Sequence, residues 1–362
     1  MTGIGALAAA LVVCGVLTAP ASATADAPEP GRYQVDPATG DDATGTGSAL
    51  RPFRTIAHAL AVAQPGESVD LRPGTYDERV VTARPGVTIA GPREAVLKGA
   101  DGATRVVEVR HDDTTLSGFT IDGKVCEQLV EACFRGKAIW VQSTVPHDGV
   151  TGTKILELRI TNLGDECIRL KYSTTRSLVA GNTIGPCGIH DFAVSNAGSG
   201  QNGEGVYIGT APEQLDRNPT PEPDGSSDNR VWGNVIDTRA AECVDIKEGA
   251  HDNDVAHNTC TGQQPRNGNS GAMDARGPSN TFRFNHIHDN AAAGVRIGGD
   301  RPGDAVGNAV EHNLITDNAR GGIKVQDAGP HGRICGNMLR GNAGGDVVGA
   351  HKDGVEDPTR PC

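Results

Sequence analysis

Short runs of alternating apolar and polar residues recur along the chain from residue 155 onward, and each run is followed by a turn and an asparagine between apolar positions. The asparagines of this repeat are Asn182, Asn234, Asn258, Asn285, Asn313 and Asn337. Their spacings are 52, 24, 27, 28 and 24 residues, so one repeat takes about 24 residues and the first interval contains insertions. Alternation predicts strands with one inward face, and a repeat of this length predicts a solenoid.

The repeat therefore predicts an all-β fold, a parallel β-helix whose coils stack about 4.8 Å apart. We expect a structural role for the six asparagines. Asparagine tolerates the left-handed backbone of a sharp corner, and stacked asparagine side chains can hydrogen-bond along a column.

The N-terminal part shows helical spacing from Phe53 to Ala63, followed by Pro65-Gly66, a strand, and the run from Arg72 to Tyr76. A helix here would cover the open end of the solenoid. This opening resembles that of the pectate-lyase-like superfamily, which implies a right-handed, single-stranded parallel β-helix with an N-terminal capping helix. That fold hosts lyases, hydrolases, epimerases and non-enzymes, so it does not give the function by itself.

An apolar run from Ile4 to Leu17, followed by small residues up to Ala25, predicts a signal peptide over residues 1–25 that is cleaved near Ala23 or Ala25. We therefore expect a secreted protein. Residues 26–362 are predicted to form one β-helix domain with insertions near 188–202 and 211–228. No other segment is long and apolar enough to cross a membrane, and we expect a monomer.

Removal of the signal peptide with Cys14 leaves eight cysteines, which is an even number and predicts disulfides in an exported chain. Eight cysteines allow many connectivities, and we favour pairing between sequence neighbours. The pairs expected are Cys126 with Cys133, Cys167 with Cys187, Cys243 with Cys260, and Cys335 with Cys362. No CxxC motif supports a metal site made of cysteines.

Formal charge is −12, from 45 acidic and 33 basic residues, so a nucleic-acid partner is not expected. Only 3% of the residues are aromatic, and a sugar-binding platform of tryptophans is not evident. The candidate chemistry lies instead in charged residues on the predicted strands.

Alignment of the strands in successive coils separates inward from outward residues. The inward positions are apolar: Ile168, Leu170, Val206, Ile208, Val244, Ile246, Met273 and Ala275. One outward column contains Arg169, Tyr207, Asp245, Asp274, Arg296 and Lys324. The next contains Lys171, Gly209, Lys247, Arg276, Gly298 and Gln326, and a third opens three coils with Glu166, Glu204 and Glu242.

Carboxylates stacked on one face repel one another, and are best tolerated when a cation neutralises them. We expect a Ca²⁺ site with the candidate ligands Glu204, Glu242, Asp245 and Asp274. The alternative is a ladder of exposed salt bridges without a ligand.

Lys247 is the candidate base for removal of a proton next to a uronate carboxylate, and Arg276, one coil away, would disfavour protonation of Lys247. Neighbouring carboxylates act in the opposite direction, so this role needs them engaged by calcium or substrate. Candidate substrate contacts are Lys171, Tyr207, Arg296 and His251.

Glu242, Lys247 and Arg276 locally resemble the site of polysaccharide lyase family six, the calcium-dependent chondroitin B and alginate lyases. The resemblance implies that Lys247 and Arg276 are catalytic, that calcium is the cofactor, and that an acidic polysaccharide is the partner. The function expected is cleavage of a uronic-acid-containing glycan by β-elimination.

Three other functions stay open. A C5-epimerase would begin with the same proton abstraction. A polygalacturonase-like hydrolase could use Asp245 and Asp274 as a carboxylate pair. The third is a non-catalytic extracellular glycan-binding protein, in which the charged columns would have no catalytic role.

Overall fold

The computed structural model describes residues 27–195, 202–264 and 270–362. The expected signal peptide, with its cleavage near Ala23 or Ala25, lies outside the described residues, as does part of the insertion near 188–202. The described chain forms three parallel sheets of eleven, ten and ten strands.

Sheet one begins at the N-terminus and contains every strand that opens a coil. Its strands are β1 (Arg32–Val35), β2 (Ser68–Leu71), β5 (Thr88–Ala90), β8 (Thr115–Ser117), β11 (Lys154–Leu156), β14 (Leu178–Ala180), β17 (Arg230–Trp232), β20 (Asp254–Ala256), β23 (Thr281–Arg283), β26 (Ala309–Glu311) and β29 (Ile334–Cys335).

Sheet two carries the charged columns. Its strands are β4 (Val80–Val81), β7 (Arg105–Val109), β10 (Lys137–Val141), β13 (Ile168–Leu170), β16 (Val206–Ile208), β19 (Val244–Ile246), β22 (Gly271–Ala275), β25 (Ala293–Ile297), β28 (Ile323–Val325) and β31 (Val347–Val348).

Sheet three supplies the middle strand of each coil, between a strand of sheet one and a strand of sheet two. Its strands are β3 (Gly74–Tyr76), β6 (Ala95–Leu97), β9 (Thr120–Asp122), β12 (Arg159–Thr161), β15 (Thr183–Ile184), β18 (Val235–Asp237), β21 (Thr259–Thr261), β24 (His286–His288), β27 (Leu314–Thr316) and β30 (Met338–Arg340).

Each sheet takes every third strand from β5 onward, so a full coil contains three strands and the chain is a parallel β-helix, as predicted. The apolar residues predicted to point inward are all fully buried in one core that runs the length of the solenoid. The alternation of apolar and polar residues thus assigns the inner face correctly.

The capping helix is confirmed as α1 (Ile56–Val62). The Thr55 side chain accepts a hydrogen bond from the His58 N–H, and the Glu78 carboxylate accepts bonds from the Ile56 and Ala57 N–H groups at 2.8 and 2.9 Å. These bonds satisfy donors that a helix leaves free in its first turn. Ile56 and Leu60 join the solenoid core, so the helix covers apolar residues of the first coils.

The predicted asparagine column is confirmed. Each side-chain N–H₂ donates to the Oδ1 of the asparagine in the next coil, at 2.9 to 3.1 Å. The expected left-handed backbone lies instead at the residue before each asparagine, such as His257 (φ 59°) and Phe284 (φ 54°). The turn at that residue directs the asparagine side chain into the solenoid, where it bonds the coil that follows.

Two further asparagine columns escaped the sequence analysis. One runs through Asn229, Asn253, Asn280 and Asn308, and the other through Asn290, Asn318 and Asn342. Buried amide ladders thus lie at several corners of the C-terminal coils.

All four disulfides expected from the sequence are present: Cys126–Cys133, Cys167–Cys187, Cys243–Cys260 and Cys335–Cys362. Cys167 and Cys243 each precede a strand of sheet two, and their partners lie in or just after strands of sheet three. These two bonds therefore join neighbouring coils near the corner between sheets three and two.

Short helical segments occupy the loops: 3₁₀ turns at Glu131–Cys133, Pro212–Arg217 and Lys352–Gly354, and a π-helical turn at His190–Val194. Across the described ranges, no helix has the length and apolar character that a membrane crossing requires.

Candidate active site

The outward column of sheet two has the predicted register. Backbone pairing places Arg169 beside Tyr207, then Asp245, Asp274, Arg296 and Lys324 in successive coils. The column continues toward the N-terminus through Trp140 and Glu108. Those two residues were missed, although their strands, RVVEV and KAIWV, show the same alternation.

Most side chains of this face are buried rather than exposed: Arg169, Tyr207, Asp245, Asp274 and Arg296 are each no more than 5% exposed. They cover one another along the column. Charged groups that are removed from water need partners, so the pattern of ion pairs decides which groups can act on a ligand.

Glu204, Glu242 and Asp245 form an acidic cluster, in which one carboxylate oxygen of each lies within 4.8 Å of the others. The two glutamates are held one coil apart, because the Gly205 N–H donates to the Glu242 carbonyl at 2.9 Å. Asp245 is outward on β19 and meets them from the adjacent column. Asp274 is the next residue in that column, but its carboxylate accepts bonds from Arg296 at 2.9 Å and from the Gly271 N–H at 2.7 Å.

Burial and mutual repulsion raise the pKa values of the acidic cluster. Burial, followed by the Glu166 charge, raises the pKa of Glu204 to about 7. Burial and the charges of Asp274 and Asp245 raise the pKa of Glu242 well above its usual range. Both effects penalise the charged form, so the cluster is suited to binding a cation.

The Lys247 ammonium lies 2.5 Å from the Asp245 carboxylate and 4.6 Å from the centre of the Tyr207 ring. Burial lowers the pKa of Lys247, but the charges of Asp245, Tyr207 and Glu204 together outweigh it, and the net pKa is raised. The Arg276 charge lowers the pKa of Lys247, as expected, but the net pKa of Lys247 stays above its ordinary value. Lys247 is thus an ammonium as long as Asp245 is free to pair with it.

Tyr207 lies between two cations. The Lys247 ammonium comes from the coil after it, and the Arg169 guanidinium, from the coil before it, lies 4.1 Å from its ring centre. Its hydroxyl is buried and has no hydrogen-bond partner among the described residues, and neither has Oδ1 of Asp245. Buried polar atoms are rarely left without a partner. The two atoms therefore mark a place where a ligand would complete the hydrogen bonding.

Arg276 is not directed at the acidic cluster. Its guanidinium contacts Glu248 and Asp300, each at 2.6 Å, and it remains partly accessible. Side-chain direction beyond the strand end is not set by the pleat, which is why the sequence alone did not give these partners.

The other expected contact residues are dispersed. Lys171 lines a cavity of about 410 Å³ with Arg169 and Trp140. Arg296 pairs with Asp274. The His251 ring contacts the Asp252 carboxylate at 2.8 Å, and its backbone pairs with Ser227 outside the sheets, so none of its described contacts is with the acidic cluster.

His190 has a structural role next to Asp165. Nδ1 lies 3.1 Å from the Asp165 carboxylate, and Nε2 lies 3.1 and 3.2 Å from the Phe134 and Glu131 carbonyls. Because all three neighbours are acceptors, both ring nitrogens must donate. Hydrogen bonding to Asp165 raises the pKa of His190, as this imidazolium requires.

The segment 211–228 forms one wall of the site. Gln214 accepts a bond from Arg169 at 2.6 Å, and Asp224 accepts bonds from the Tyr172 and Ser173 N–H groups at 2.6 and 2.8 Å. These contacts fix the segment against sheet two. The segment therefore borders one side of the outward face of sheet two, and we call this bordered face the groove.

The three stacked sheets define a parallel β-helix protein. Residues 38–218, half of the chain, match the family described as "Protein of unknown function (DUF1565)", and the chain belongs to that family. No curated protein matches the sequence at a significant level.

Solved structures share the fold at low identity. An alginate lyase from Paenibacillus sp. str. FPU-7 superposes with a TM-score of 0.65 at 18% identity, covering 82% of this chain and 95% of that one. A rhamnogalacturonan lyase gives 0.57 at 13% identity, covering 91% and 86%. The GH136 lacto-N-biosidase from Eubacterium ramulus gives 0.51 at 14% identity, covering 89% and 67%. These likenesses establish the fold, while the chemistry depends on the residues of this chain.

Proposed function

We propose that the protein is an exported polysaccharide lyase that cleaves a uronic-acid-containing glycan by β-elimination in the groove of sheet two. One observation carries the proposal: the buried Tyr207 hydroxyl, which has no hydrogen-bond partner among the described residues, lies on the same face as the buried Lys247 and a cluster of three carboxylates. The four disulfides fit an extracellular protein. Two of the structures that share the fold are named as lyases of polysaccharides.

β-Elimination makes three demands on such a site. A base takes the C5 proton, and its electron pair forms the C4–C5 double bond. The C4–O bond breaks, and the leaving oxygen takes a proton from an acid. The carboxylate on C5 must also be neutralised, because its charge otherwise opposes loss of the proton.

Lys247 is proposed as the base. In the ligand-free groove its proton is held by Asp245. When a cation or substrate engages Asp245, burial and the Arg276 charge act in the same direction, and both lower the pKa of Lys247. The proposal thus requires the acidic cluster to be neutralised before the lysine can accept a proton.

Tyr207 is proposed as the acid. Burial raises its pKa above the ordinary phenol value, so the hydroxyl keeps its proton at neutral pH and can donate it to the leaving oxygen. Arg276 contributes a fixed positive charge at the edge of the groove, where it stabilises the negative charge that develops on the substrate.

Calcium is proposed as the cofactor, held by Glu204, Glu242 and Asp245. The donor set fits a hard cation, because the three carboxylates converge within 4.8 Å and Oδ1 of Asp245 has no hydrogen-bond partner in the part of the chain that the structure describes. When bound, the ion would neutralise the uronate carboxylate.

The direct test follows the ultraviolet absorbance of the unsaturated uronate ends that elimination leaves on the product. The purified chain is incubated with alginate, polygalacturonate and chondroitin or dermatan sulfate, with calcium or with a chelator. We expect absorbance to rise on one polymer and to be lost in Lys247→Ala and Tyr207→Phe. The exposed Lys154→Ala on sheet one is the matched control and should retain activity.

A hydrolase is the second candidate, because Asp245 and Asp274 are direct neighbours in register and burial raises the pKa of Asp274. Both carboxylates are held by cations, Lys247 and Arg296 respectively, which disfavours their use as an acid and base pair. The hydrolase would be favoured over the lyase if reducing ends were released without new ultraviolet absorbance. Their release should then be lost in Asp274→Asn.

A further inference from the structure

A second charged region lies on sheet two, on the N-terminal side of the acidic cluster. It is a cavity of about 410 Å³ between the outward column and the 3₁₀ turn Pro212–Arg217. Cations dominate its lining: Arg105, Arg110, Lys137, Arg169, Lys171 and Arg217 face only the carboxylates of Glu108 and Asp165. We call this region the basic pocket.

Most of these cations already have anionic partners. Glu108 pairs with Arg105 and Arg110, and Asp165 pairs with Lys137. Arg169 pairs with Glu166, but its Nε is buried and has no hydrogen-bond partner within the described ranges.

Lys171 differs from its neighbours. It is only 2% exposed, and its ammonium has neither a carboxylate nor a carbonyl partner among the described residues. The ammonium lies 5.1 Å from the centre of the Trp140 ring. A buried ammonium without an anion is costly, so the pocket has spare positive charge for a ligand.

Trp140 forms the floor of the basic pocket. The Arg105 guanidinium lies 3.8 Å from its ring centre, and Arg169 lies 5.2 Å from it. The indole N–H donates to Gln142 at 2.9 Å, which fixes the ring. An apolar ring surrounded by cations suits a sugar that carries an acidic group.

We infer that the basic pocket binds the acidic group of a neighbouring sugar unit in the same glycan chain, with Lys171, Arg169 and Arg217 as its contacts. This inference rests on the proposed function and extends it to a second unit of the substrate. Lys171 follows β13 and Lys247 follows β19, two coils later. The separation is about 10 Å along the solenoid axis at about 4.8 Å per coil. A glycan that lies along the groove therefore reaches both.

Binding in the pocket is coupled to proton uptake. Burial and the Arg169 charge, with a contribution from Arg105, lower the pKa of Lys171 to about 7, while Asp224 and Glu166 oppose this shift. An anion beside the amine favours the ammonium. At neutral pH, binding should therefore take up about half a proton for each oligosaccharide.

Tryptophan fluorescence can report on the basic pocket alone, because the chain has only two tryptophans. Trp232→Phe removes the one that lies on sheet one and leaves Trp140 as the reporter. Tyr207→Phe is added so that the ligand is not cleaved. Tetrasaccharides of mannuronate, guluronate and galacturonate are titrated, together with a sulfated chondroitin tetrasaccharide and neutral cellotetraose.

We expect one acidic tetrasaccharide to change Trp140 fluorescence while cellotetraose has no effect. Lys171→Gln should weaken that binding about tenfold or more, and should abolish the proton uptake measured by calorimetry in two buffers of different ionisation enthalpy. Arg217 is exposed, so Arg217→Gln should weaken binding without affecting the fold. Lys154→Gln is the matched control on sheet one and should bind normally.

The two proposals can fail separately. If no polymer is cleaved by the unmodified chain but Trp140 still reports binding through Lys171, the lyase function is wrong and the basic pocket stands. If a polymer is cleaved, but Lys171→Gln and Arg217→Gln change neither KM nor the fluorescence titration, the pocket assignment is overturned and the lyase stands.

Discussion

The ammonium of Lys247 lies 2.5 Å from the carboxylate of Asp245, and both side chains are nearly inaccessible, at 9% and 3% exposed. A buried pair of this kind is more costly to break than to remove as a whole, since a single substitution leaves the other charge without its partner.

The pair therefore predicts strong coupling between the two residues. Asp245→Asn and Lys247→Met should each destabilise the protein by roughly 3 kcal/mol or more, while the double variant loses less than the sum of the two. Chemical denaturation of the four proteins gives the coupling energy. Additive losses would mean that the two side chains do not act as a pair.

Calcium should stabilise the folded protein independently of any activity. The three carboxylates of the acidic cluster repel one another, so an ion bound there relieves repulsion in the folded state alone. Thermal unfolding near pH 7.5 should shift upward with millimolar calcium and return with a chelator. Glu242→Gln should remove the shift, whereas Glu213→Gln, on the exposed 3₁₀ turn, should keep it. A shift that survives in Glu242→Gln would place the ion elsewhere.

His190 should make stability depend on pH. Asp165 raises the folded-state pKa of His190 above its ordinary value near 6.5, so the imidazolium contributes stability that is fully present below that value. The contribution is lost as pH rises through the folded-state pKa. His190→Gln should lower the melting temperature by about 2 °C or more at pH 5.5, and by less at pH 9. A difference that does not change with pH would contradict the charged form.

The Cys243–Cys260 disulfide should stabilise the coil that carries Asp245 and Lys247. It closes a loop with a sequence separation of 17, and both cysteines are fully buried. Replacing both by serine should lower the free energy of unfolding by about 3 kcal/mol, and should reduce any activity.

The Cys126–Cys133 disulfide is the matched control, because its separation is only 7 and it lies in a loop outside the strands. Its removal should have the smaller effect on stability and leave catalysis unchanged. Equal effects on activity would show that the Cys243–Cys260 bond does not organise the site.

Much of the fold and of the outward column could be predicted from the sequence, because a residue's position in a repeating strand determines both its coil and its side. Arg169, Tyr207, Asp245 and Asp274 were placed in register on that basis alone. The disulfide pairing could also be predicted, since cysteines within about one coil of each other in sequence lie on the same coil or on neighbouring coils.

The finer arrangement depended on side-chain direction and on loops, which periodicity does not specify. Arg276 turns to Glu248 and Asp300 at the strand end. The basic pocket owes its shape to Gln214 and Arg217, which arrive from an insertion without repeat character. Trp140 could have been found by extending the strand alignment one coil toward the N-terminus.

The asparagine ladder has a consequence for how such a protein can change over evolutionary time. Each asparagine makes the same bonds to the coil that follows, whether the interval is 24, 27 or 28 residues. A duplicated coil that keeps its asparagine would therefore meet compatible neighbours on both sides. Gain or loss of whole coils could lengthen or shorten the surface available to a polymer, while the residues around Lys247 stay in place.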